Sequence, residues 1–366
     1  MTIRLPFVRK WVFLFAILGL LVFLLYLYYF VGIMNVISII GMTNPFYYAL
    51  TFVTVLISVI FFSLAWHSLL TNLSIKISVR RAFLFTWVGT FVDAVVPGGW
   101  TGDLSKAYLI SKASSQDTGK IAASVIGQKV LVIMITLSNL ILGLTLLAVS
   151  YGLPSEIFIL IVFTLIPLIL LLIVVFYLSV KPEATKKILA WLTRLISFVL
   201  RDHWKPAGFQ AKAEKLLVTF HEGIQTLGAN PKALAQPIIF SVLAWGFDVS
   251  VVFLVFVSMG YPVPVDKVLI VYAITGSLQT SGVSLVGFTE IIMSSIYVVL
   301  GIPAAVSLTA TLLTRLAAFW FKLLVAYVVF ECTVLWQCIC GVCARIRRFV
   351  TKGIKAEREL RVEPVV

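Results

Sequence analysis

Charge is scarce in this chain. Of 366 residues, only 12% are Asp, Glu, Lys or Arg and 61% are hydrophobic, and the mean hydropathy is +1.09. A soluble domain has too little interior to hide that much apolar surface, so the soluble globular class is excluded. Acidic residues are scarcer than basic ones, 15 against 29, giving a formal net charge of +14. The basic residues flank apolar runs, which points to a lipid surface rather than to nucleic acid. The four cysteines, Cys332, Cys338, Cys340 and Cys343, lack the paired spacing of a zinc ribbon and are expected to be free thiols. Two of the three histidines, His203 and His221, lie apart in the central basic segment and are expected to be solvated. There is no P-loop, no paired DxD carboxylate motif and no histidine cluster. An ATPase and a self-contained glycosyltransferase are thereby set aside, and no cofactor or metal is expected.

Long apolar runs are what the chain does have, too long for barrel strands. Arg4, Arg9 and Lys10 precede a run over 11–34 that exceeds a secretory h-region and is followed by no small-residue cleavage site, so it reads as a retained span. Further spans are expected over 46–70, 121–150, 155–180, 237–259 and 304–338. The fold class is therefore all-α: one polytopic transmembrane domain over 1–366, with an N-terminal half 1–180, an amphipathic loop 181–236, a C-terminal half 237–343 and a basic tail 344–366. Neither residues 1–10 nor the tail 344–366 is expected to fold as a catalytic domain. Within the loop, helices are expected over 183–200 and 208–227, the second stopped by Gly228-Ala229-Asn230-Pro231. Lysine and arginine crowd residues 1–10, the segment with Lys76, Arg80 and Arg81, the loop and the tail, whereas 35–45, 151–154 and 260–267 carry only Lys267. Both termini are expected on the cytoplasmic side of the cell membrane.

Two apolar segments are too short to cross a bilayer and run into glycine-rich polar turns. One is 83–96, followed by Pro97-Gly98-Gly99-Trp100-Thr101-Gly102-Asp103; the other is 268–278, followed by Ser281-Gly282-Val283-Ser284-Leu285-Val286-Gly287-Phe288-Thr289-Glu290. Backbone that leaves the helix at membrane depth needs protein or trapped water for its N–H and C=O groups. Paired broken segments in corresponding halves point to a transporter's substrate site. If both are re-entrant, they insert from opposite sides, as an inverted-topology repeat requires; the alternative is two ordinary spans with blurred ends.

Ionisable residues at membrane depth are the strongest chemical signal. Asp93, Asp248, Arg315 and Lys322 lie within apolar segments, with Lys129 and Glu290 near segment ends. Each normally faces a polar cavity or a partner. Either Asp93 or Asp248 pairs with Arg315 to hold the bundle, or these residues contact a substrate; both readings stand at this level.

Ordered motifs carry a family resemblance. Pro97-Gly98-Gly99, Gly102-Asp103 with Lys106 three positions on, and the small-residue helix Ala122-Ala123-Ser124-Val125-Ile126-Gly127-Gln128-Lys129 resemble the lysylphosphatidylglycerol-synthase transmembrane (flippase-like) family. So do Gly287-Phe288-Thr289-Glu290, Gly301-Ile302-Pro303, and Leu313-Thr314-Arg315-Leu316 followed by Phe319-Trp320, in the same order, from about residue 46 to 330. Lys106 stands where arginine is more usual, keeping the charge but losing the planar fork. Gln128-Lys129 stands where Glu-Arg is common, and the proline expected before the second glycine turn is missing.

The resemblance implies a stand-alone membrane unit without synthase or glycosyltransferase domain. The leading expectation is a flippase or translocase for an anionic or phosphate-linked lipid, a phospholipid or polyisoprenoid. Asp93, Pro97, Gly98, Gly99, Gly102, Asp103, Lys106, Lys129, Asp248, Gly287, Glu290 and Arg315 would line its substrate path, and hydrocarbon chains would stay in surrounding lipid. Backbone amides at the two turns would bind phosphate, with Lys106, Lys129 and Arg315 supplying positive charge. The rivals are a membrane-embedded enzyme that modifies a lipid head group, with Asp93, Asp103 or Glu290 as general base, and a non-catalytic membrane subunit of envelope or glycolipid biosynthesis. A lipid synthase or glycosyltransferase is the partner those rivals suggest; no nucleic acid is expected.

Overall fold

Asn44 starts the first described span. Its side-chain oxygen accepts from the backbone N–H groups of Phe46 (3.0 Å) and Tyr47 (3.4 Å), and Pro45 sits at the first helical position, where its missing N–H is harmless. The computed structural model describes residues 38–95, 100–114, 116–152, 155–188, 190–191, 206–280 and 287–333. Among these all regular structure is helical. The expected span over 11–34, the turn residues Pro97, Gly98 and Gly99, residues 281–286, and most of the expected helix 183–200 lie outside the described residues.

The helices are α1 (Pro45–Asn72), α2 (Val79–Val95), α3 (Thr101–Ala113), α4 (Thr118–Ser150), α5 (Ser155–Val180), α6 (Pro206–Ala229), α7 (Ala235–Ser258), α8 (Val265–Thr280), α9 (Phe288–Val299) and α10 (Ala304–Arg315). A π-helical turn, Leu316–Phe321, continues α10 toward Thr333. Among the described residues, five helical stretches are long and apolar enough to cross a membrane: Pro45–Asn72, Thr118–Ser150, Ile161–Val180, Pro231–Ser258 and Ala304–Thr333. The protein is an all-α, multi-pass membrane protein. The helices α2 and α8 are longer than 83–96 and 268–278, because Val79-Arg80-Arg81 and Val265-Asp266-Lys267 continue the helical backbone beyond the apolar run. At ~1.5 Å per residue they still reach only about 24–26 Å, short of a ~30 Å hydrocarbon core.

Close helix approach depends on small side chains, as expected where lipid offers no hydrophobic drive between helices. Against α7, α1 places Ser58, whose hydroxyl donates to the Ala244 carbonyl at 3.1 Å, and Phe61 stacks on Phe247 with centroids 5.5 Å apart. α4 meets α8 at Gly143, where a Cβ would stand 2.8 Å from that of Ala273. Leu140, Leu147, Phe256, Val271, Ile274 and Tyr297 build the larger core cluster around that contact; Trp66, Leu70, Phe85, Ile110 and Ile121 build a second one nearer α3 and α6.

The α6 helix is not a free surface helix. Phe220, Ile224 and Leu227 pack into the second cluster. His221 is buried rather than solvated: Nδ1 lies 2.8 Å from the Leu217 carbonyl oxygen and Nε2 3.2 Å from the Leu178 carbonyl oxygen at the end of α5. A carbonyl at a helix end has no partner within its own helix; here the Thr185 hydroxyl donates to the Leu178 carbonyl at 2.7 Å, and the imidazole sits against the same oxygen.

Candidate functional site

Two helical hairpins position the polar residues. In the first, Gly89 of α2 faces Lys106 of α3, and Asp93 faces Gly102, so the two helices run antiparallel. Asp93 accepts from the Gly102 backbone N–H at 2.6 Å and from the Thr101 hydroxyl at 2.9 Å, capping the start of α3. Gly102 is obligatory here because a Cβ would overlap the Gly89 carbonyl and the Asp93 carboxylate. In the second hairpin, Lys267 at the start of α8 donates to the Leu300 carbonyl at 2.6 Å just past α9, so these helices are antiparallel too. Glu290 accepts from the Gly287 backbone N–H at 2.8 Å and closes the first turn of α9, with Gly287 at φ +91°.

Helix α4 measures where the hairpins lie. Near its start, the Lys76 backbone N–H before α2 donates to Gln116 at 3.2 Å, placing the base of the first hairpin there. At its other end the Tyr151 hydroxyl donates to Asp266 at 2.7 Å, placing the base of the second. The tips meet α4 midway. Lys129 contacts Asp103 of the first tip at 3.3 Å, and the Thr136 hydroxyl lies 3.4 Å from that of Thr280 at the second. Lys129 and Thr136 are two turns apart on one face, about 10 Å along the axis.

A small chamber surrounds the first tip. Asp103 bridges Lys106 (2.7 Å) and Lys129 (3.3 Å). Lys106 is only 4% exposed; its ammonium also donates to Gln128 Oε1 at 3.1 Å and lies 5.0 Å from the Trp66 ring and 5.5 Å from Phe62. Gln128 is fixed in turn by its donation to the Phe62 carbonyl at 3.1 Å, and Lys129 lies over Trp100 at 4.9 Å. Desolvated ammonium groups are held by exactly such partners: a carboxylate, an amide oxygen and aromatic faces. Phe62, Asp103, Lys106, Gln128 and Lys129, with Thr86, Thr90 and Asp93, enclose about 110 Å³. Through Phe62 and Val132 the wall is shared with a larger cavity of about 300 Å³, lined by Thr136, Asn139, Asp248, Tyr272, Gln279 and Thr280.

The structure thus brings Asp93, Gly102, Asp103, Lys106 and Lys129 together, and places Asp248 on the adjoining cavity with Lys322 3.9 Å away. It does not bring Arg315 to Asp93 or Asp248. Arg315 Nε donates to Glu290 at 2.7 Å, both residues are buried, and the guanidinium lies 4.5 Å from the Phe319 ring. Neither residue lines either cavity. The backbone donors at Gly102 and Gly287 are likewise taken, by Asp93 and Glu290. Charge at depth had marked most of these positions. It could not mark Gln128, Asn139, Trp66 or Trp100, which are uncharged; a lone amide within an apolar run was the available signal for Asn139.

Comparison with known proteins places the chain among membrane proteins. The family model for the lysylphosphatidylglycerol synthase TM region matches residues 13–326. A UPF0104 membrane protein of Pyrococcus horikoshii is 25% identical over 280 residues, covering 73% of this chain and 81% of that protein. One from Methanocaldococcus jannaschii is 24% identical, covering 84% of this chain and 90% of its own, and one from Methanothermobacter thermautotrophicus is 24% identical, covering 80% and 84%. No solved structure matches. With the ordered motifs of both halves inside the matched region, the chain belongs to the lysylphosphatidylglycerol synthase transmembrane-region family.

Proposed function

We propose that the protein is a translocase for an anionic or phosphate-linked membrane lipid, working in the cell membrane with both termini cytoplasmic. The observation that carries this reading is the pair of ammonium groups at the first hairpin tip, Lys106 buried and Lys129 half-buried, with the second tip two turns along α4 and the hairpin bases at opposite ends of that helix. The hairpins act as re-entrant elements of an inverted repeat, each exposing its tip to one side in turn. A lipid phosphate binds by displacing Asp103 from the two lysines. An internal carboxylate is a suitable stand-in for such a substrate, because it compensates the buried cations until the phosphate replaces it. Asp248, Gln279 and Thr280 on the adjoining cavity take the rest of the head group. The capped backbone amides at Gly102 and Gly287 hold the tips in shape, which leaves phosphate recognition to the lysines.

The alternative of head-group chemistry has no comparable support, since each carboxylate near the tips is engaged with a cation or a backbone donor. Purified protein in vesicles containing labelled phospholipids or polyisoprenyl phosphates tests the choice. Lipid moving between leaflets with its mass unchanged is the expected result. A shifted product mass would make the protein an enzyme, and neither movement nor product would defeat the translocase reading.

A further inference from the structure

Beside the 300 Å³ polar cavity lies an apolar cavity of about 630 Å³ between α4, α5, α6 and α7, within the roughly 300–1,000 Å³ typical of small-molecule sites. Its walls include Gly127, Val130, Leu131, Ile224 and Leu227. Its rim is formed by Met134, Phe176, Val180, Ile238 and Val242, all exposed on spanning helices, so in a bilayer the opening faces hydrocarbon sideways. Ile135, Asn139 and Trp245 belong to this cavity and also to the 300 Å³ polar one, so the two meet at a common wall. On that wall Asn139 Oδ1 and Trp245 Nε1 are buried and have no hydrogen-bond partner among the described residues. One is an acceptor and the other a donor, and buried polar atoms are seldom left unpaired.

We infer that this cavity binds one hydrocarbon chain of a membrane lipid, with the ester carbonyl at the chain's polar end accepting from Trp245 Nε1. A purely apolar occupant, such as an alkane, leaves both atoms unpaired; an ester carbonyl supplies an acceptor for Trp245 Nε1, and a lipid hydroxyl, which also donates, serves Asn139 Oδ1. The polar cavity then receives the head group, and beyond its wall at Phe62 and Val132 stand Lys106 and Lys129. The sequence reading leaves the chains in the surrounding lipid; on the present inference one chain enters the protein. The inference rests on the translocase reading for the identity of the head group, but not for the binding of the chain.

The test uses the full chain in vesicles containing phosphatidylglycerol with a diazirine midway along one acyl chain. After irradiation, labelled residues are mapped by mass spectrometry. Label is expected to concentrate on cavity residues within 126–142 and 238–245. Trp245→Phe keeps the aromatic bulk and removes the N–H, and it should lower cavity labelling about tenfold. It should leave labelling by a diazirine alkane unchanged. Label spread evenly over outward-facing Ile159, Phe163 and Leu170, or cavity labelling by the phospholipid unaffected by Trp245→Phe, would overturn the inference. A labelled cavity without lipid movement in the same vesicles keeps this site and removes the translocase reading. Movement with an unlabelled cavity does the reverse.

Discussion

Asp103 holds both ammonium groups of the chamber, so its removal and theirs have opposite consequences. Asp103→Asn keeps a hydrogen-bond acceptor and removes the competing charge; it should tighten binding of an anionic lipid and slow its release, read as a lower Kd and a lower transport rate. Lys129→Gln should weaken the same binding by about 10- to 100-fold, since a charge-assisted hydrogen bond is lost from a desolvated site. Arg315 behaves differently because its partner is Glu290 and neither faces the cavities. Arg315→Ala leaves a buried carboxylate unpaired and should cost about 3–5 kcal/mol of stability. Adding Glu290→Gln should recover part of it, as thermal unfolding in detergent would show; a normally stable Arg315→Ala protein contradicts the pairing. At this scale the sequence is informative wherever a charge sits in an apolar run, as at Asp93, Asp248 and Arg315. It could not say that Arg315 meets Glu290 rather than an aspartate, because that choice depends on how α9 and α10 pack.

Helices were legible from hydropathy. The span expected over 121–150 is α4, starting only three residues earlier at Thr118, and 208–227 is α6 with two residues added at each end. The missed ends are polar turns that continue helical backbone without continuing the apolar pattern. Docking was not legible: an amphipathic pattern on α6 suits a lipid surface and a protein surface equally, and the bundle wins through Phe220, His221 and Leu227. His221→Phe should therefore loosen α6 by removing the imidazole contact with the Leu178 carbonyl, at a cost of about 1 kcal/mol, visible as faster amide exchange across 213–229. In the first hairpin, Gly102→Ala puts a methyl against Gly89 and Asp93. Overpacking of this kind should cost about 1–3 kcal/mol and splay the tip, lowering thermal stability and lipid binding together.

Across the whole molecule, α4 connects the base of one hairpin to the base of the other, with both tips beside its middle. On the proposed translocase reading, that arrangement would give a lipid phosphate a charged way station reachable from either leaflet once one tip yields. Locking the tips should stop the cycle. With the native cysteines replaced, Thr136→Cys and Thr280→Cys stand where the two hydroxyls are 3.4 Å apart, and mild oxidation should join them and abolish transport reversibly. The most direct measurement of the central claim is leaflet exchange of head-group-labelled phosphatidylglycerol against phosphatidylcholine in vesicles carrying the native protein or Lys129→Gln. The account predicts that the native protein moves phosphatidylglycerol faster than protein-free vesicles do, prefers it to phosphatidylcholine, and loses that preference with Lys129→Gln. Equal movement of both lipids, unchanged by Lys129→Gln, would contradict it.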